Sequence, residues 1–416
     1  MNTLSPELLH SICSRLDIDD VRNFRLVCKK FSIIGALYLC KTIMVPSQRT
    51  TYGIFAEISS RPEMAAGVRQ IRYTDIPDLL ANMRVANLVA HNAMTNRQLR
   101  LPSIVSAEIF EYNYSLFLHA LPQFPRLKTI ILDFVENTTQ RIIPYHTGGN
   151  LPVATPGGRP LSMLLQALAN TGIKLQTLAI NRLDTDFFDS DLNGLISSLQ
   201  PLSRLSSFEV LLSSVYPNQF MMEQGAIRRR HELIESGKVG RCLTALPSLH
   251  SLNMDCSQLF KEPYINGLPQ HAWRGASLSK VIPLGFTWTR LVRLRLHQIE
   301  TDRHELMRFL SHHRRTLREI CLQSISFRTT SWYPFLADVR REMHLSRACV
   351  CGQLLGQSED QNGAIQNWFI SSPRSLNVPP QLAAWNLVNA SLLYGAQVET
   401  CPLATLEFWR EAVRGV

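Results

Sequence analysis

A group of histidines and a pair of cysteines are the side chains whose types and spacing could bind a metal ion. They are His297, His304, His312 and His313, and the Cys-x-Cys pair Cys349 and Cys351. His304 and His312 are eight positions apart on one predicted helix, too far for the i, i+4 spacing of paired ligands, and no second cysteine pair lies at zinc-finger distance. We therefore expect no metal site, with the histidines on the surface and the two cysteines on opposite faces of a strand.

The sequence contains no motif typical of nucleophilic catalysis or of phosphate binding. There is no G-x-S-x-G turn that would expose a nucleophile. The glycine-rich segments TGGN and TPGGRP do not follow a predicted strand and open a helix, as a phosphate-binding loop does. We therefore expect that the protein is not an enzyme and holds no cofactor.

The composition is that of a folded globular protein. Hydrophobic residues make up 45% of the 416 residues and charged residues 18%, which argues against a disordered chain and a membrane channel. The length predicts about two or three domains. The apolar stretch FSIIGALYLC is shorter than the ~18 to 20 residues that span a bilayer, and the nine scattered cysteines form no dense framework. We expect a protein of the cytoplasm, the nucleus or both, with no membrane partner.

The formal net charge of +10 is compatible with nucleic acid or an acidic protein as a partner. The densest basic runs are IRRRHE at 227–232 and HHRRTLRE at 312–319. Both lie in helix-like sequence and lack the interleaved aromatic residues that nucleic-acid binding requires. We interpret them as solvated helix faces and do not expect nucleic-acid binding.

The first part of the chain predicts three short helices. Ser5 is a helix cap, Pro6 suits the first helical position, and Glu7 suits the positive end of the helix dipole. Apolar residues then recur at helical spacing, and the segment from Asp17 to Asp20 provides the next break and cap. A helical region this small buries little surface, so it must pack on the following domain or present apolar residues to a partner.

This region contains, in order, Leu4, Pro6, Glu7-Leu8-Leu9, Ile12, Leu16, Asp20, the segment RLVCKKF and Ile34. This order of residues resembles the F-box family. The resemblance covers roughly residues 4–45, and its most specific part is the segment RLVCKKF. One departure is visible, because the family usually begins Leu-Pro-x-Glu-Leu, whereas in this chain Ser5 follows Leu4 and the proline is Pro6. That departure affects the fine contacts of the first helical turn.

The resemblance implies that these helices bind a Skp-type adaptor, which connects them to a cullin scaffold and a RING subunit. Family positions that commonly contact the adaptor match Leu4, Pro6, Leu8, Ile12, Leu16, Val27, Cys28 and Lys29. An amphipathic helical face anchored by aliphatic side chains in a partner's groove is a common mode of recognition. Some of these residues must also hold the three helices together, and the sequence does not separate the two roles.

An apolar pattern recurs through the rest of the chain. Apolar residues occupy positions 1, 4 and 6 of segments that begin at Leu127, Leu175, Leu205, Leu249, Leu291 and Leu317, and Val68 begins a degenerate candidate for a first copy. The pattern predicts short strands with positions 4 and 6 on the core face and position 5 on the solvent face. Helical stretches lie between the strands, and Asp302 with Glu305 resembles a capping box at the start of one of them.

The uneven spacing of these copies predicts insertions, with loops at 145–160 and 259–280. We assign the fold to the α/β class (α+β overall), with a three-helix F-box at 1–45 and an irregular leucine-rich-repeat solenoid, or horseshoe, at 127–356. A connecting helical region at 46–126 and a C-terminal cap or tail at 357–416 complete the chain. This layout resembles the F-box proteins that are abundant in fungi.

The predicted function is substrate recognition in an SCF-type ubiquitin ligase. On this hypothesis an unknown protein substrate binds the strand face, where position 5 supplies Ile131, Glu209, Asn253 and Arg295. Two alternatives stay open. One is a leucine-rich-repeat scaffold with no role in ubiquitylation, and the other is a basic protein that binds nucleic acid or a phosphorylated ligand.

Overall fold

The structure is a computed structural model, and it describes residues 4–46, 52–75, 118–134, 158–213, 229, 232–259, 276–357 and 365–370. The chain forms two compact units. The first unit comprises Met1–Arg182, Gln200–Leu202 and Tyr216–Asn218, and the second comprises Leu183–Leu199, Ser203–Val215 and Gln219–Val416. Within the described ranges, no helix is long and apolar enough to cross a membrane.

The first unit begins with three short helices and continues into a parallel sheet. Its helices are α1 Pro6–Cys13, α2 Ile18–Arg25, α3 Lys29–Leu39, α4 Tyr52–Ser59, α5 Pro62–Ala65 and α6 Gly158–Thr171. Its strands are β1 Thr42–Pro46, β2 Gln70–Asp75, β3 Thr129–Phe134 and β4 Thr177–Asp184. These strands pair in sequence order and are all parallel.

The second unit continues the alternation of helix and strand. Its helices are α7 Leu192–Leu199, α8 Lys238–Leu243, α9 Leu278–Val281, α10 Arg303–His312 and α11 Trp332–Glu342. Its longer strands, β5 Ser207–Ser213, β6 Ser251–Gln258, β8 Arg293–His297, β10 Glu319–Gln323 and β12 Arg347–Gln357, form a parallel sheet in that order. Short strands β7 Ala276–Ser277, β9 Ile299–Thr301 and β11 Ser326–Phe327 form a second parallel row that ends on β12.

Strands form at every copy of the apolar pattern. In the copy that contains β6, Leu249 is buried in the turn before the strand, and Leu252 and Met254 are buried on the core face. Asn253 lies between them on the opposite face and is half-buried. The same three positions are buried in β2, β3, β4, β5, β8 and β10, so the predicted strands and their core face are confirmed.

The turns before the strands are tied together by a repeated pair of hydrogen bonds. The backbone N–H groups of His250 and Ser251 both donate to the carbonyl of Ser206, at 2.7 and 3.0 Å. Val292 and Arg293 donate to the carbonyl of His250 in the same way, and the pattern recurs at the starts of β2, β3, β4, β10 and β12. Within each unit, these turns therefore lie along one edge of the sheet, where the strands begin.

Several boundaries differ from the sequence prediction. The predicted loop at 145–160 ends earlier, because α6 begins at Gly158, and its residues 145–157 lie outside the described ranges. The predicted loop at 259–280 contains β7 and the start of α9 in its last residues. The predicted helix and strand of the last copy are confirmed as α11 and β12, and β13 Ile365–Ile370 pairs antiparallel with β12 in the segment interpreted as a tail.

The basic run at 312–319 is not a helix face. Helix α10 ends at His312, the next four residues form turns, and β10 begins at Glu319. A helix was predicted over this run, but the chain leaves the helix after His312 and turns back to begin strand β10. Most of the run at 227–232 lies outside the described residues.

Gly67 lies where α3 meets the turn before β2. A Cβ atom at this position would lie 2.4 Å from the carbonyl oxygen of Leu37 and 2.8 Å from its carbonyl carbon. Because backbone atoms cannot rotate away, we expect Gly67→Ala to lower the free energy of unfolding by about 1–3 kcal/mol.

Gly194 in α7 provides the matched control for this prediction. No atom lies within 4 Å of a Cβ built at Gly194, and alanine is favoured over glycine in a helix by about 1 kcal/mol. Gly194→Ala should therefore raise the free energy of unfolding while Gly67→Ala lowers it. Urea denaturation of both variants measures the difference, and equal midpoints would contradict the close approach of α3 to the turn.

Candidate protein-binding surface on the N-terminal helices

The predicted start of α1 is confirmed by its cap. The Oγ atom of Ser5 accepts a hydrogen bond from the backbone N–H of Leu8 at 3.4 Å, and Pro6 occupies the first helical turn. Hydrogen bonds from the backbone and from Ser5 lower the pKa of Glu7, so this carboxylate stays charged at the positive end of the helix dipole. Asp17 caps α2, as predicted, and accepts from the N–H of Asp20 at 2.8 Å.

A small core holds the three helices together. Leu9, Cys13, Phe31 and Ile34 are buried, and the rings of Phe24 and Phe31 stack with centroids 4.3 Å apart. The other side chains that pack on this core are only partly buried; they are Leu4, Phe24, Cys28 and Tyr38. The inner stripe of α1 is therefore formed by Leu9 and Cys13, one helical turn apart.

A second apolar stripe of α1 faces outward. Leu8 and Ile12 are also one turn apart, yet they are 54% and 40% exposed. In the turn between α2 and α3, Leu26 is 84% exposed and Val27 is 55% exposed. Four large aliphatic side chains thus lie in water beside a core that is too small to cover them, which is typical of a surface that binds another protein.

Burial separates the residues that hold the three helices together from those that are free to contact a partner, which the sequence did not do. Of the eight residues predicted to contact the adaptor, five are exposed: Pro6, Leu8, Ile12, Val27 and Lys29. Leu16 is half-buried, and Leu4 and Cys28 are half-buried with their side chains against the helical core. Leu4 and Cys28 therefore support the fold of the helices, whereas the exposed five are available to a partner.

Contacts within the helices place the chain start next to the start of α3. The Nζ atom of Lys30 donates to the carbonyl oxygen of Leu4 at 2.6 Å. Leu4 and Cys28 also pack on the same core. At the end of α2, Nε of Arg25 donates to the carbonyl of Ser32 in α3 at 3.1 Å. The first turn of α1 and the segment that contains Val27 are therefore neighbours on one surface.

Leu26 is one exposed apolar residue of the three helices that the sequence prediction missed, and Ile18 and Ile33, 50% and 52% exposed, are two others. Leu26 lies inside RLVCKKF, but it was not chosen as a contact residue. The sequence contained a signal for its exposure. Leu26 does not follow the helical spacing of Val21 and Phe24, so it is not expected on the buried face of α2.

Three of the four residues predicted to bind substrate lie together on the second unit. Glu209, Asn253 and Arg295 are register partners on β5, β6 and β8, and Glu209 and Arg295 are exposed. Ile131 lies on β3 in the first unit and is half-buried. The side chains of Glu209, Asn253 and Arg295 therefore form one row across the strand face of the second unit.

Three cysteines meet on the strand face of the second unit. Cys321 and Cys349 are register partners, and the Sγ atoms of Cys349 and Cys351 are 3.8 Å apart. The prediction that Cys349 and Cys351 lie on opposite faces is wrong, because residues two apart in a strand share a face. Hydrogen bonding with Cys349 raises the pKa of Cys321 to about 11, and hydrogen bonding with Cys321 raises the pKa of Cys351. Cys321 and Cys351 therefore lack the thiolate character of reactive cysteines.

The predicted surface position is also wrong for one histidine. His313 is buried, with Nε2 3.0 Å from the backbone nitrogen of Trp288 and Nδ1 2.9 Å from the carbonyl oxygen of Phe309. His297 is half-buried and lies 3.0 Å from a carboxylate oxygen of Asp255. Across the described ranges, no group of three or more His, Cys, Asp and Glu side chains is arranged to hold a metal ion.

The first three helices, with a small core and an apolar outer surface, form a helical module of the kind that binds a partner's groove. Residues 1–35 of the chain match the family model described as F-box domain. No curated protein matches it. F-box domains in general bind Skp-type adaptors and serve substrate recognition in SCF-type ubiquitin ligases.

Proposed function

We propose that this protein is the substrate-receptor subunit of an SCF-type E3 ubiquitin ligase. It binds the Skp-type adaptor through its N-terminal helices and, through the adaptor, the cullin and RING subunits. It carries out no chemistry itself. Its contribution is to hold a protein substrate at high effective concentration near the activated ubiquitin.

The exposed aliphatic side chains of the F-box carry this proposal. Leu8 and Ile12 on α1 and Leu26 and Val27 before α3 leave a large apolar surface in water. Burying one such side chain in a partner contributes roughly 1.5–3 kcal/mol. We assign Pro6, Leu8, Ile12, Val27 and Lys29 to direct contact with the adaptor, and Leu4, Leu16 and Cys28 to the margin of the same contact.

The strand face of the second unit is the proposed substrate surface. Glu209, Asn253 and Arg295 present an acid, an amide and a base on three adjacent strands. Adjacent parallel strands are about 4.8 Å apart, so one extended segment of a substrate can contact all three. We propose Ile131 as a separate contact on the first unit.

We propose that residues 127–356 form a leucine-rich-repeat type of solenoid. The repeated burial of positions 1, 4 and 6 and the repeated hydrogen bonds between successive turns support it. On this proposal residues 357–416 close the array, and β13 is the part of that cap that the structure describes. The protein would act in the cytoplasm, the nucleus or both, where its cysteines, free in the described residues, stay reduced.

Co-expression with the Skp-type adaptor followed by size-exclusion chromatography tests the proposal. We expect a stable one-to-one complex that persists through the column. A folded chain that elutes without the adaptor would overturn the proposal.

Addition of cullin, RING subunit and ubiquitin-charged conjugating enzyme then tests the role in ubiquitylation. We expect ubiquitin transfer to the bound substrate or to the receptor itself. An adaptor complex that supports no transfer, in a reaction where a known receptor is active, would favour a binding scaffold with no ligase role.

A further inference from the structure

Arginines are concentrated where the strands of the second unit begin. The turns that precede β5, β6, β8, β10 and β12 contain no aspartate or glutamate in 203–206, 244–250, 284–292, 313–318 and 343–346. We call the arginines of these turns and of the first strand residues, other than Arg318, the basic edge. They are Arg204, Arg290, Arg293, Arg314, Arg315 and Arg347.

In the described part of the second unit, one acid lies on this edge, and it does not balance the charge. Glu319, the first residue of β10, lies 3.3 Å from Arg293 and 3.8 Å from Arg347. The other four arginines of the basic edge are exposed and have no acidic partner within the described parts of the chain. Among the described residues, the edge therefore carries an excess of positive charge.

The fold holds this charge in a row. The repeated hydrogen bonds between successive turns align the strand starts, and Arg293 and Glu319 are register partners, as are Glu319 and Arg347. From β5 to β12 there are four interstrand spacings, about 19 Å, which roughly six residues of an extended peptide would span. The aligned arginines repel one another across neighbouring strands. An anion that binds along the row relieves this repulsion, so the row favours binding of an anion.

One turn of the edge is braced by the side chain of Arg318, which bonds the backbone of that turn. The guanidinium of Arg318 donates to the carbonyl oxygens of Arg315 and Leu317 at 2.9 and 3.0 Å, and to that of Arg314 at 3.4 Å. Arg318 therefore fixes the backbone that presents Arg314 and Arg315. A rigid turn lowers the entropy lost when those two side chains bind a partner.

The first unit has the same distribution of charge at its own strand starts. Lys41, Arg69 and Lys128 lie at successive turns joined by backbone hydrogen bonds, and all three are exposed. Arg126 and Lys174 precede β3 and β4 and are also exposed. The residues 40–42, 66–70, 122–129 and 172–177 include no acid. Basic residues before the strands are therefore a repeated feature of the chain.

We infer that the basic edge of the second unit binds an acidic segment of a protein. Nucleic acid is disfavoured because the aromatic rings in the turn before β8 are engaged in packing: Trp288 is fully buried, and Phe286 packs edge-on against it with centroids 5.2 Å apart. The edge is also built of turns and presents no helix that could enter a groove. This binding activity is additional to the proposed function and does not depend on the adaptor.

The experiment uses the full chain, a fluorescently labelled twelve-residue peptide of glutamate and aspartate, and a labelled oligothymidine of equal length. We compare wild type with the edge variant Arg290→Gln, Arg314→Gln, Arg315→Gln by fluorescence anisotropy at several salt concentrations. We expect salt-dependent binding of the peptide by wild type and at least tenfold weaker binding by the edge variant.

The control variant is Arg241→Gln, Arg308→Gln, Arg340→Gln, which removes the same charge from three helices. We expect its affinity for the peptide to stay within threefold of wild type. Equal weakening by both variants, no peptide binding by wild type, or tighter binding of the oligothymidine would each overturn the inference. If the edge variant has a lower melting temperature than wild type, Arg204→Gln with Arg315→Gln replaces it under the same criteria.

Discussion

Leu8→Asp combined with Val27→Asp should abolish co-purification with the Skp-type adaptor while the chain stays folded. Both side chains are more than half exposed in the free protein, so aspartate at either position costs the isolated chain little. In the complex each aspartate would be buried against apolar groups without a partner. A loss of about 2 kcal/mol or more at each of two contact residues corresponds to roughly a thousandfold weaker binding.

Met44→Asp provides the control for this double variant. Met44 is 62% exposed on β1 and lies beyond the residues that match the F-box family. Measured by size-exclusion chromatography and by titration calorimetry, Met44→Asp should bind the adaptor as wild type does, and Val27→Asp alone should bind at least thirtyfold more weakly. Retained binding by the folded double variant would show that the adaptor contacts another surface.

Local patterns in the sequence predicted the elements of the fold well. The cap at Ser5 and the capping box of Asp302 and Glu305 were predicted and are observed. The strands follow from the apolar residues at positions 1, 4 and 6, because a strand buried on one face requires alternation over a few consecutive residues. Such signals lie within one element, so one sequence is enough to detect them.

Features that depend on contacts between distant residues were not predicted. Residues 42–46 form a strand because β2 is available as a partner, and β13 forms on the edge of β12. His313 is buried because Trp288 and Phe309 satisfy its two ring nitrogens, although its sequence neighbours are charged. Which residues of the F-box are exposed likewise depends on how three helices pack, and the eight predicted contacts include two that support the core.

Trp288 connects three successive turns at the edge where the strands begin. Its indole Nε1–H donates to the carbonyl oxygen of Leu246 in the turn before β6, at 2.9 Å. Its backbone N–H donates to Nε2 of His313 in the turn before β10. Because Nε2 accepts this bond, Nδ1 carries the proton and donates to the carbonyl oxygen of Phe309. Burial lowers the pKa of His313, so the imidazole stays neutral. The turn that presents Arg290 is thereby held between its two neighbours.

We expect Trp288→Ala to destabilise the second unit strongly, because it removes a large buried ring and a hydrogen bond together. Removing a fully buried tryptophan costs about 3–5 kcal/mol, and the carbonyl of Leu246 also loses its donor at about 1 kcal/mol. Because domains are stable by only about 5–15 kcal/mol, this loss should shift the urea midpoint of the full chain substantially.

Trp288→Phe separates the two contributions to this loss. It keeps an aromatic ring against Phe286 and Phe309, whose centroids lie 5.2 and 6.2 Å from that of Trp288, and removes the indole donor. We expect it to cost about 1–3 kcal/mol, well below the alanine variant. Equal urea midpoints for the two variants would show that ring burial contributes little. Since Trp288 also positions the turn of Arg290, the alanine variant should lose affinity for an acidic peptide even at temperatures where it remains folded.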